Sequence, residues 1–219
     1  MKSDSQLKTD VEEELDWDPA VRLTSIGVEV KDGIVTLAGH LDSYTEKIAA
    51  ERAAQRVSGV KGLAVELDIR LLASANRVDG DIAATAVEAL RWNASIPHDS
   101  IHVMVEDGWI TLSGDVDWNF ERTNAEVAVH ALIGVKGVNN VIKLKHQVSP
   151  VDVKSKIESA LYRSAHLIGK KIKISVDGDT VTLTGQIRSL AERHMMKNAA
   201  WAAPGVFKVV DDLKIEPYL

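Results

Sequence analysis

Apolar residues recur at every fourth position in three stretches of the chain: Leu7, Val11 and Leu15; Ile82, Ala86 and Leu90; Val153, Ile157 and Leu161. That spacing puts three side chains on one helical face and predicts an amphipathic helix in each stretch. Before the last of them, Ser149-Pro150 reads as an N-cap followed by proline at the first helical position. Each helix is followed by a change of period. Ile26, Val28 and Val30, then Ile101, Val103 and Val105, then Ile172, Ile174 and Val176 alternate with polar neighbours, the pattern of a half-buried strand. Asp32-Gly33, Asp107-Gly108 and the inverted Gly178-Asp179 are two-residue hairpin turns, and IVTLAG, WITLSG and TVTLTG are the returning strands. Ser43 and Glu46, like Ser189 and Glu192, stand three apart as a capping box that opens a second helix. In the first stretch that helix turns Ile48, Ala50, Ala53, Ala54 and Val57 inward, and Val60, Leu63, Leu67 and Ile69 supply a third strand.

The pattern is one unit written three times. Gly39, Gly114 and Gly185 close the second strand, and Gly59, Gly134 and Gly205 follow each of them by twenty positions. Shifts of 75 and then 71 residues carry one copy onto the next without a gap. The expected fold class is therefore α+β: three tandem αββαβ domains over 1–72, 73–148 and 149–219, each a three-stranded mixed sheet with two helices on one face. Gly59, Gly134 and Gly205 fall just past the second helix, where a left-handed residue ends it. Gly39, Gly114 and Gly185 suit a bend or a close approach of backbone. The repeated Gly59-Val60-Lys61-Gly62 and Gly134-Val135-Lys136-Gly137 also match the Gly-x-x-Gly loop with which some RNA-binding domains clamp a phosphate backbone. Here the motif joins a helix to a strand, and the third copy reads Gly205-Val206-Phe207-Lys208. The helix-stop reading is the stronger, and RNA binding through these loops is the alternative.

The alternating strand, two-residue turn, V/I-T-L-x-G and a tail such as Gly134-Val135-Lys136-Gly137-Val138-Asn139-Asn140-Val141-Ile142-Lys143-Leu144 together resemble the BON domain, a small bacterial module. Copies one and three carry Val65 and Asp211 where copy two has Asn140. The resemblance implies the αββαβ fold and a role at bacterial membranes, in phospholipid association and in envelope or osmotic stress. It brings no catalytic residues and no cofactor.

Composition narrows the chemistry further. The 219 residues include no cysteine, so disulfides, thiolate metal sites and cysteine nucleophiles are excluded. A net charge of -6 argues against a dedicated nucleic-acid binder. The N-terminus has no apolar h-region and no stretch reaches the length of a membrane span, which predicts a cytoplasmic chain, peripheral at the inner membrane. His98 and His102 are four apart, but in a loop entering a strand rather than on a helix face, and Glu12-Glu13-Glu14 and the pair Asp115 and Asp117 read as solvated charge. No metal site and no enzyme is predicted. Charge is uneven: residues 1–72 sum to -5, 73–149 to -4 and 150–219 to +3. In the basic third copy Arg163, His166, Lys170, Lys171 and Lys173 form a candidate site for anionic phospholipid. Trp109, Trp118 and Phe120 take positions that are smaller in the sibling copies and are candidate interface aromatics, favoured as contacts between copies. Anionic phospholipid and envelope or stress proteins are the expected partners.

Overall fold

The computed structural model describes residues 2–145, 159, 172–203 and 206–215. The first copy runs α1 (Asp4–Trp17), β1 (Ile26–Lys31), β2 (Ile34–Leu41), α2 (Tyr44–Arg56) and β3 (Gly62–Ile69). The second runs α3 (Asp79–Arg91), β4 (Ile101–Glu106), β5 (Trp109–Val116), α4 (Asn119–His130), β6 (Gly137–Asn140) and β7 (Lys143–Leu144). The third contributes β8 (Lys173–Asp177), β9 (Thr180–Ile187), α5 (Leu190–Trp201) and β10 (Lys208–Ile215). The helix expected from Val153, Ile157 and Leu161, its Ser149-Pro150 cap, and Gly205 lie outside the described residues.

Each sheet has the same order. The hairpin strands pair antiparallel, and the strand after the second helix lies parallel to the second hairpin strand on its far side. In copy two the third strand is split into β6 and β7, both parallel to β5. Asn140 stands at the break: its Oδ1 accepts from Ile142 N–H at 3.3 Å, and its Nδ2 donates to the Arg122 carbonyl at 2.9 Å and to Glu126 at 3.1 Å. Asp211, its counterpart, accepts from Leu213 N–H at 3.2 Å and faces Lys197 at 4.0 Å. The departure from asparagine in copy three is thus matched by a change from Glu126 to Lys197 on the neighbouring helix.

Two compact units result. One is drawn from Met1–Ala38, Ala50–Glu66 and Gln147–Leu219, the other from Gly39–Ala49 and Leu67–His146. In the second, Ile82, Ala86 and Leu90 of α3 and Ala125 and Val129 of α4 share one core with Ile110, Leu112 and Val116 of β5, so both helices cover the same sheet face. Tyr44, from the first copy, packs against that core. In the first unit the end of α2 touches the third copy. Gly59 N–H donates to the Arg188 carbonyl at 3.2 Å, and Ser58 Oγ donates to the same oxygen at 3.4 Å.

The local chemistry of the turns is visible in the dihedrals. Asp32 and Gly33 have φ of 54° and 82°, and Asp107 and Gly108 have 50° and 79°, as a two-residue turn of this hand requires. Each turn is held by the first helix of its copy. Asp4 accepts from Asp32 N–H and Gly33 N–H at 2.8 and 3.1 Å, and Asp79 accepts from Asp107 N–H and Gly108 N–H, both at 2.9 Å. At Gly114 the constraint is a close approach, since a Cβ there would overlap the carbonyl oxygen of Ser100.

Two outcomes follow for stability. Asp79→Ala removes a carboxylate from two backbone donors and should destabilise the protein by about 1–3 kcal/mol, read from urea denaturation. Gly114→Ala combines a positive φ with a backbone overlap and should cost about 3 kcal/mol or more in the same assay.

Candidate functional site

Among the described residues no three His, Asp or Glu side chains converge as a metal site. His98 sits in the turn before β4, paired with Asp99 at 3.4 Å, while His102 lies exposed on β4. Of the basic cluster, Lys173 opens β8 and is exposed. Arg163, His166, Lys170 and Lys171 lie outside the described residues.

The three candidate aromatics occupy two places. Trp109 is paired in register with Gly137 of β6, and a Cβ on that glycine would overlap the indole ring, so the ring lies directly on the glycine. In copy one Ile34 lies against Gly62 more loosely: a Cβ on that glycine would sit 3.7 Å from the isoleucine side chain, in ordinary contact. The third copy pairs Thr180 with Lys208. In copy two the second glycine of Gly-Val-Lys-Gly is therefore a platform for a large cross-strand side chain. The first glycine is left-handed, with φ of 103° at Gly59 and 97° at Gly134. Trp109 packs on Gly137 of its own copy and is 49% exposed, and the contacts between copies described above are made by Tyr44, Ser58 and Gly59.

Trp118 and Phe120 open α4. At the equivalent helix starts, Ser43 and Ser189 accept from the N–H three residues on, both at 3.2 Å. Trp118 holds the same N-cap position with no side-chain cap. Glu121 still closes its half of the box, accepting from Asp117 N–H and Trp118 N–H at 3.0 and 2.9 Å. A capping hydroxyl has been exchanged for an indole that is 41% exposed, beside Phe120 at 52%.

Two further tryptophans escape a pattern search that looks only for turns and strands. Trp17 ends α1 and Trp92 caps α3, and they are 83% and 84% exposed. They are the same position of the repeat, 75 residues apart, and the third copy carries Arg163 there. Repeat register alone would have singled them out. Trp92 Nε1 donates to Glu88 at 3.2 Å, which leaves the ring face open.

The family model of the BON domain matches residues 3–70, 78–146 and 151–217. The chain belongs to the BON domain family. It is 33% identical over 129 residues to osmotically-inducible protein Y of Escherichia coli (strain K12), an alignment that covers 57% of this chain and 64% of that protein. Among solved structures it is similar to CdsD, a structural protein of the type III secretion system of Chlamydia trachomatis, at 15% identity and a TM-score of 0.27, covering 96% of this chain and 92% of that one. The PrgH periplasmic domain matches at 11% identity and a TM-score of 0.22, covering 87% and 95%. At such scores these two likenesses carry no argument.

The uncapped start of α4 gives a direct expectation: Trp118→Ser restores the hydroxyl cap and should stabilise the protein by about 1 kcal/mol in thermal denaturation. Gly137→Ala should instead displace the Trp109 ring, seen as a change in near-ultraviolet circular dichroism.

Proposed function

We propose that this chain is a non-enzymatic, stress-related binding protein that attaches to anionic phospholipid surfaces. Membership of the BON family and similarity to an osmotically inducible protein support the stress-related binding role. The observation that carries the membrane reading is the pair Trp17 and Trp92, more than four-fifths exposed at one repeat position. Tryptophan favours the headgroup region, where its ring is shielded and its N–H stays wet. Attraction comes from the third copy, whose residues 150–219 sum to +3 against -5 and -4 for the stretches 1–72 and 73–149. Attachment is peripheral in this reading. No helix among the described residues is long and apolar enough to cross a membrane.

Cosedimentation with phosphatidylglycerol vesicles tests it. Binding should be present at low ionic strength and lost near 1 M salt, where the Debye length falls to about 3 Å. Lys170→Glu with Lys171→Glu should weaken it by on the order of 2–4 kcal/mol, at about 1 kcal/mol per unit of charge. Trp17→Ala with Trp92→Ala should lower binding without changing its salt dependence. Wild-type protein that ignores these vesicles at low salt overturns the reading.

A further inference from the structure

The contact between copies one and three supplies a template for a second, unfilled one. In copy one the end of α2 receives the loop that precedes α5: Ser58 Oγ and Gly59 N–H both donate to the Arg188 carbonyl, next to Ser189. Copy two has the same receiving backbone. Gly134 corresponds to Gly59, with φ of 97° against 103°, and it is buried. Among the described residues its N–H meets no backbone acceptor. Beside it lies a groove of about 370 Å³, lined by Ile82, Leu132 and Ile133 together with Arg77, Asp81 and Thr85.

Both sides of the contact change character together in copy two. Ile133, 61% exposed, stands where copy one has Ser58. Trp118 and Phe120 stand where copy three has Ser189 and Ala191. Asp117 replaces Arg188, and within its own copy it faces Lys145 at 3.9 Å. Where copies one and three meet through polar residues, copy two carries an apolar loop and a groove with Ile82, Leu132 and Ile133 in its lining.

The loop and the groove of one copy cannot satisfy each other. They lie at opposite ends of α4, whose 12 residues hold them about 18 Å apart. We infer that the groove beside Gly134 receives the Asp117–Phe120 loop of a second copy of this chain. With the two α4 helices antiparallel, each loop enters the other's groove and the contact closes as a two-fold dimer.

Sedimentation equilibrium of the full-length chain, from micromolar to several hundred micromolar, is the test. A reversible monomer–dimer equilibrium is expected. Trp118→Ser and Ile133→Asp should each weaken dimerisation at least tenfold, while thermal denaturation shows both variants folded, Trp118→Ser at a raised melting temperature. Mixing the two variants should yield heterodimer, because one chain still offers an intact groove and the other an intact loop. A wild-type chain that stays monomeric throughout overturns the inference, and so does a dimer that both variants form as tightly as wild type. Loss of vesicle binding in Trp118→Ser with no wild-type dimer assigns the loop to the membrane instead.

Discussion

The whole unit depends on laying the third strand parallel to the second. A parallel neighbour cannot be reached by a tight turn, so the chain must cross over a helix and then reverse within a few residues. In copies one and two the reversal is made at Gly59 and Gly134, whose left-handed backbone ends the helix and aims Val60 and Val135 back into the core. The following strand then arrives with its second glycine under the first residue of the hairpin's return strand, and Ile34 or Trp109 covers it. Helix stop, strand register and cross-strand packing are consequences of the same four-residue passage. That is why Gly-Val-Lys-Gly is written twice without being a phosphate clamp's helix-to-helix loop.

Repetition makes the chain its own comparison set. The clasp of Asp4 on the first hairpin and of Asp79 on the second is duplicated with nearly the same distances, so it belongs to the fold. What differs between copies marks where the surfaces have diverged. Val65, Asn140 and Asp211 occupy one position, and the last two each accept from the N–H two residues on, while on the helix the Asn140 amide donates to Glu126 and the Asp211 carboxylate faces Lys197. Trp118 in place of the capping Ser43 and Ser189 breaks a local rule with no compensating bond at the same site. Such a breach points to a role for the exposed ring outside its own helix.

Much of the architecture was legible in the sequence because its signals are local. Four-residue spacing, two-residue alternation, an Asp-Gly turn and a Ser-x-x-Glu box each act within a few residues, and the repeat reports each of them more than once. The break between β6 and β7 was not legible, because it follows from Asn140 bonding to Arg122 and Glu126 on a helix 14 to 18 residues away. Nor was the fate of the aromatics. Trp109, Trp17 and Trp92 look alike in sequence, yet one lies on a glycine and the other two stand almost free. The sequence by itself determined the repeated αββαβ unit, the helix stops at Gly59 and Gly134 and the hairpin turns, since these rest on the conformational preferences of adjacent residues. Only the tertiary structure decided which large side chains are covered and which carbonyl reaches Gly59, since burial and pairing depend on what the rest of the chain brings alongside.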